Sequence, residues 1–80
     1  MSCRVVYAPP ADDARLKMDD STRRTFDTAM RGLAQDPYGG DSAALDGSPD
    51  RREATVAGVF VRYYVSRGIL TVTVVRLVWI

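Results

Sequence analysis

The sequence predicts an α+β domain, a helical hairpin packed on one face of a mostly antiparallel four-stranded sheet, with elements in the order β-α-α-β-β-β. Three observations predict it. A short β-branched run near the start is stopped by Pro9 and Pro10. Two stretches with apolar residues at helical spacing follow. The last third is strongly β-branched and is broken by Ala57-Gly58 and Arg67-Gly68, dipeptides of the kind that close tight hairpins.

Each element has a local cause. "CRVVYA" reads as the first strand. Pro10 suits the first position of a short helix through "ADDARLKM", where Asp12 and Asp13 face the positive helix N-terminus. Asp20 or Ser21 can cap a second helix through "TRRTFDTAMRGLAQ", which lines up Phe26, Ala29, Met30 and Leu33 on one face. Asp36-Pro37 ends it, because a residue before proline is pushed out of the helical region. "YGGDSAALDGSPD" is polar and turn-rich and reads as a loop. Strands are expected at 52–57, 59–66 and 69–79.

If both Xaa-Gly pairs are two-residue turns, the register follows. Glu53 faces Arg62, Thr55 faces Phe60, Val65 faces Leu70 and Val61 faces Val74. One face is then aliphatic, from Ala54, Val56 and Val59 to Leu70, Val72 and Val74, and takes the helices. The other carries Arg51, Glu53, Phe60, Arg62, Tyr64, Leu77 and Trp79, and no segment remains to cover it. Arg76 falls on the core-side parity, where an acidic helix residue is its expected partner. Arg67 sits in a turn.

Composition bounds the chemistry. Residues 1–80 make one small domain, and a chain of this length buries only roughly 60% of its unfolded surface. With no histidine and a single cysteine, Cys3, neither a His/Cys zinc site nor a Ser-His-Asp or Cys-His nucleophile can be assembled. "YGGD" lacks the spacing and the lysine of a phosphate loop. No metal or small-molecule cofactor is expected. No secretory leader is visible, and the closing apolar run is short of the ~20 residues of a membrane helix, so the chain reads as cytoplasmic, with no membrane partner. Residues 1–50 carry six basic and nine acidic side chains; residues 51–80 carry five Arg and only Glu53. That basic end points to a localised anion-facing patch, or else the two halves neutralise each other on packing.

Arg62 is central on the uncovered face and has two readings. It is either a cross-strand partner of Glu53 or a guanidinium fork presented to a phosphate. Arg51 and Arg52, at the mouth of the same sheet, are solubility charges or further anion contacts. Phe60, Tyr64 and Trp79 form an exposed aromatic group that can stack bases or dock a protein partner, and for Trp79 docking is the expectation. Arg23 and Arg24 read as a solvated helix face.

The order of elements, the opening "VVYAPPA", the helix end "LAQDP", the loop "ALDG", and the strands "REATVAGVFVRYYV" and "LTVTVVRLVW" together resemble the RelE/ParE superfamily of bacterial toxins. The resemblance implies a toxin neutralised by a cognate antitoxin that covers the open face or the helical hairpin. RelE-like members cut mRNA on the ribosome with Arg and Lys on the open face, whereas ParE-like members poison DNA gyrase and lack that set. Arg62 matches, to within a residue, the arginine of the family's G-x-x-R-x-x-Y strand, and Arg76 the arginine of its last strand. On that reading Arg62 stabilises the transition state, Arg51, Arg52 and Arg76 contact nucleic acid, and Glu53 or Tyr64 is the base. Family members usually continue beyond the last strand with a basic segment, whereas here Trp79 stands where its histidine would and the sequence runs to Ile80, and Asp46 takes the place of a loop lysine. Those departures leave a non-catalytic gyrase inhibitor, or a degenerate protein-binding relative, as the alternative.

Overall fold

The computed structural model describes residues 2–79 as β1 (Arg4–Tyr7), α1 (Pro9–Leu16), α2 (Asp20–Gln35), β2 (Ala43–Leu45), β3 (Ser48–Val56), β4 (Val59–Ser66) and β5 (Thr71–Val78). The strands form one sheet in the order β1-β5-β4-β3-β2. β1 runs parallel to β5, and every other pairing is antiparallel. Both helices cover one face, as expected.

The sheet has five strands rather than four. The extra one, β2, comes from the segment read as a loop. It is three residues long and alanine-rich, too short to show alternation. Its turn was nevertheless written in the sequence, since Asp46 and Gly47 both have positive φ (51° and 74°), as an Asp-Gly hairpin demands. Ala57-Gly58 behaves the same way, with φ of 51° and 78°, and sets Val56 opposite Val59.

Arg67-Gly68 is not a two-residue turn. A 3-10 turn over Arg67–Ile69 is followed by Leu70 in the left-handed region, so Ser66 pairs with Thr71. Leu70 is consequently exposed instead of buried. The slip relative to the expected register is two residues, an even number, so Val65, Tyr63, Val72 and Val74 keep their core side. A bulge then breaks the alternation: Tyr63 pairs with Val74 but Arg62 pairs with Arg76, leaving Val75 extra on β5. Beyond it every side chain changes face. Leu77 turns into the core, and Arg76 comes out opposite Arg62. Trp79 lies on the helix side, where its indole N–H donates to the Ala14 carbonyl at 3.1 Å.

The core joins Phe26, Met30 and Ala34 of α2 to the inner valines of β3, β4 and β5. Tyr63 is buried among them, and its hydroxyl donates to the Pro37 carbonyl at 2.7 Å, which satisfies its one polar atom. The N-cap of α2 is Asp19 rather than Asp20 or Ser21, and its carboxylate accepts from the Thr22 N–H at 2.7 Å. Arg15 of α1 donates twice to the Asp27 carboxylate of α2, at 2.8 and 2.7 Å, with the Tyr7 ring 4.9 Å from its guanidinium carbon. Burial, with Asp27 next, pushes the Tyr7 phenol up to about 12.

Two outcomes follow for stability. Val61→Ala or Val74→Ala removes fully buried methyls and is expected to cost about 1–3 kcal/mol in denaturant titration. The Arg15 hydrogen bonds hold the Asp27 carboxyl below the usual carboxylate range. A depressed folded pKa adds stability above the unfolded value of ~4 and loses it as pH falls through the folded value. Asp27→Asn is therefore expected to cost roughly 1 kcal/mol at pH 7 and to flatten the fall in melting temperature below pH ~4.

Candidate nucleic-acid interface

The uncovered face is organised in cross-strand rows. One row is Arg51, Tyr64, Thr73 and Val6, the next is Glu53, Arg62 and Arg76, and the third is Thr55, Phe60 and Val78. Charge is concentrated in the middle row, between two rows rich in apolar and aromatic surface.

Arg62 and Glu53 are both half-exposed, at 42% and 34%, and their nearest oxygen and nitrogen are 3.4 Å apart. That is a long contact for an ion pair, and a pair so exposed stabilises the fold little. The Nε of Arg62 is shielded from solvent and has no hydrogen-bond partner among the described residues. The Phe60 ring centre lies 6.0 Å from the guanidinium carbon. On the other side Arg76 is exposed, directly opposite Arg62, and meets no carboxylate among the described residues. Like charges placed opposite each other in a sheet repel. Glu53 offsets one of the two, so the row holds an unmatched positive charge that an oxyanion would satisfy.

The remaining sequence candidates separate. Arg51 is exposed at the head of the first row, its guanidinium 3.9 Å from the Asp46 carboxylate. Tyr64 is exposed beside it. Arg52, expected at the mouth of the sheet, is only 8% exposed. It lies on the core-side parity with Ala54 and Val56, and it donates to the Ser42 hydroxyl and to the Pro49, Tyr38 and Ser42 carbonyls at 3.0–3.3 Å. Its guanidinium pins the segment before β3 and is not presented to a ligand. Phe60 is half-buried on the open face, whereas Trp79 faces α1 and is not part of an aromatic group with it.

Two features escaped the sequence reading. Arg4, on β1, reaches Thr71 at 3.4 Å and adds a cation at the margin of the face. Tyr38 donates to Asp50 at 2.6 Å, accepts from Arg67 at 2.8 Å, and has the guanidinium carbons of Arg67 and Arg52 at 4.8 and 5.5 Å from its ring centre. Burial and the Asp50 hydrogen bond raise its phenol above the ordinary range. Nothing local marks this network, because its members are spread over Tyr38 to Arg67. Among the described residues no three His, Cys, Asp or Glu side chains gather as a metal site, and no helix is long and apolar enough to cross a membrane.

No family model and no curated protein matches the sequence. Solved structures do match. The chain superposes over its full length on 93% of a chain of the RelBE2 toxin–antitoxin complex from Mycobacterium tuberculosis, with a TM-score of 0.82 at 15% identity. This chain has the RelE fold. Against the E. coli RelBE complex the TM-score is 0.78 at 16% identity, covering 99% of this chain and 98% of that one. Against the isolated E. coli RelE toxin it is 0.76 at 17% identity, covering 95% and 82%. At such identities the RelE fold is carried by topology and core pattern, and the site has to be argued from its own residues.

The separation of Arg52 from Arg51 can be measured. Arg52→Ala leaves four acceptors without their donor and is expected to cost about 2–4 kcal/mol. Arg51→Ala is expected to stay within about 0.5 kcal/mol of the parent. Equal urea midpoints for the two variants would contradict the assignment of Arg52 to the scaffold.

Proposed function

We propose that this chain is the toxin of a toxin–antitoxin pair, acting in the cytoplasm as a RelE-like endoribonuclease on ribosome-bound mRNA and silenced by a cognate antitoxin. The RelE fold supports the toxin part of this reading. The observation that carries the nuclease part is the cross-strand pair Arg62 and Arg76, with Glu53 in the same row, on a face that no element among the described residues covers.

The chemistry such a row suits is in-line attack of a ribose 2′-OH on the adjacent phosphodiester. The P–O2′ bond forms, the P–O5′ bond breaks, and the products are a 2′,3′-cyclic phosphate and a 5′-hydroxyl. Arg62 and Arg76 would hold the non-bridging oxygens and stabilise the added charge of the pentavalent state. Glu53 would accept the 2′-OH proton, and water would supply a proton to the leaving O5′. Tyr64 offers a ring on which a base stacks, and Arg51 a contact to the flanking backbone.

A non-catalytic reading, as a gyrase-type inhibitor or a protein-binding relative, is favoured by the exposed Val6 and Val78 in the flanking rows, which form dry surface for a protein partner. One variant separates the two. Arg62→Ala should leave the melting temperature nearly unchanged, abolish growth arrest on expression without a partner gene, and slow RNA cleavage by about 100-fold or more. Arg62→Lys should recover little, since a point charge does not replace a planar fork. Full toxicity in a folded Arg62→Ala protein, with no cleaved mRNA in the parent, would favour the non-catalytic reading.

A further inference from the structure

Arg4 is a cation that the middle row does not use. It stands on β1 at the same parity as Val6, and both are exposed on the open face. β1 is an outer strand, and an arginine there is a common guard against unwanted pairing. A guard acts by projecting past the edge. The Arg4 side chain instead turns inward over β5, where its Nε donates to the Thr71 hydroxyl at 3.4 Å. That hydroxyl is itself fixed, since it donates to the Ile69 carbonyl at 2.9 Å. Arg4 meets no carboxylate among the described residues, so a free guanidinium lies over β5 with its position set by the sheet.

The pairing gives its distance from the scissile position. Arg4 pairs with Thr71, Thr71 pairs with Ser66, and Ser66 is four residues from Arg62 along β4. Four residues of strand span ~13 Å, which a single strand of RNA crosses in about two nucleotides. Toward the other end of the sheet, the row of Thr55, Phe60 and Val78 carries no charge. In-line attack decides which flank of the RNA passes over Arg4. The attacking O2′, the phosphorus and the leaving O5′ lie roughly in one line. Across the sheet the order is Glu53 on β3, Arg62 on β4 and Arg76 on β5. With Glu53 as the proton acceptor, O2′ lies toward β3 and O5′ toward β5. The 5′ flank then runs over β3, beside Arg51, and the 3′ flank over β5, where Arg4 is the next cation beyond Arg76.

We propose that Arg4 holds the RNA backbone on the 3′ side of the cut, at the second phosphodiester beyond the scissile one, and that Arg51 holds the 5′ side. The substrate is thereby given a direction across the sheet, and the 3′ nucleotides a place above Thr73 and Val6. This inference rests on the nuclease reading with Glu53 as the base. Arg4 touches no reacting atom, so its part is in binding and alignment.

The test uses synthetic mRNAs on ribosomes, each with one uncharged methylphosphonate linkage near a cut mapped for the parent, cleaved by the full chain in a single turnover. At subsaturating protein, a neutral second linkage on the 3′ side should slow the parent about 10-fold and leave Arg4→Ala unaffected. A neutral linkage on the 5′ side should slow Arg4→Ala as much as the parent, with Arg51→Ala showing the reverse pattern. Arg4→Ala should raise the half-saturating concentration about 10-fold, lower the saturating rate far less, and reduce the salt slope by about one. Arg4→Lys should recover most of the binding, because a point charge suffices at a phosphate that does not react. Matching melting temperatures keep a folding defect out of the comparison, with Arg4→Gln read in place of an alanine variant that melts early. Arg4→Ala that stays sensitive to the 3′ linkage, or loses sensitivity on the 5′ side instead, would overturn this inference while the nuclease reading stands. A parent that cleaves no RNA, on the ribosome or off it, would overturn both.

Discussion

Everything on the open face depends on one residue too many in β5. Side chains of a strand alternate without exception unless a bulge intervenes, and here Val75 is the intervening residue. Without it Arg76 would point at the helices and Leu77 into water. With it, a leucine closes the far end of the core and an arginine stands opposite Arg62. Core and site are therefore coupled through the backbone of a single position. A change that straightened β5 would empty part of the core and dismantle the cation pair together.

The scaffold around that bulge is small and uses polar latches where larger domains use apolar area. The two helices are tied by Arg15 and Asp27, the polar connection before β3 by the buried guanidinium of Arg52, and the helix end by the Tyr63 hydroxyl on Pro37. Each latch includes a hydrogen bond between residues at least ten positions apart and satisfies groups that burial would otherwise strand. The arginines of the chain thus do two kinds of work. Arg15 is half-buried and Arg52 buried, both hydrogen-bonded into structure, whereas Arg62 and Arg76 sit on an open face with donors to spare. Sequence position does not distinguish them, since Arg51 and Arg52 are neighbours with opposite fates.

Alternation made the core face legible from sequence, because Ala54 to Val65 reads inward and outward without a break and Ala57-Gly58 fixes its pairing. The helices were legible from spacing and prolines. The register of β5 was legible only in parity, because Arg67-Gly68 looks like a tight turn while Leu70 in fact absorbs the reversal. The bulge left a trace that could have been followed: unbroken alternation sends Arg76 inward and Leu77 outward, which inverts both preferences at once. Arg52 left a similar trace by sharing the parity of Ala54 and Val56. β2 left only its Asp-Gly turn, and the Tyr38 network none, since contacts across that much chain have no local signature. Sequence comparison is silent for a related reason. The RelE fold needs an alternating pattern and a helical hairpin, and many sequences supply both.

The composition of the middle row bears on the proposed reaction through its charge. At rest Glu53, Arg62 and Arg76 leave the row with one uncompensated positive charge, which matches the single negative charge of a phosphodiester. Attack by the deprotonated 2′-oxygen would add a second negative charge to the non-bridging oxygens of the pentavalent state. If Glu53 has taken the hydroxyl proton, its own charge is gone and the full charge of both guanidinium groups faces the pentavalent state. In the proposed reaction, binding and transition state would then each be balanced, but by different protonation states of the same row, so the arginines would contribute more to the transition state than to the bound substrate. That differential is what accelerates a reaction. On that proposal the Arg62–Glu53 contact would have a reason to be long and half-exposed. A tight, buried pair would hold Arg62 against its carboxylate throughout, and the row would have no charge left to offer.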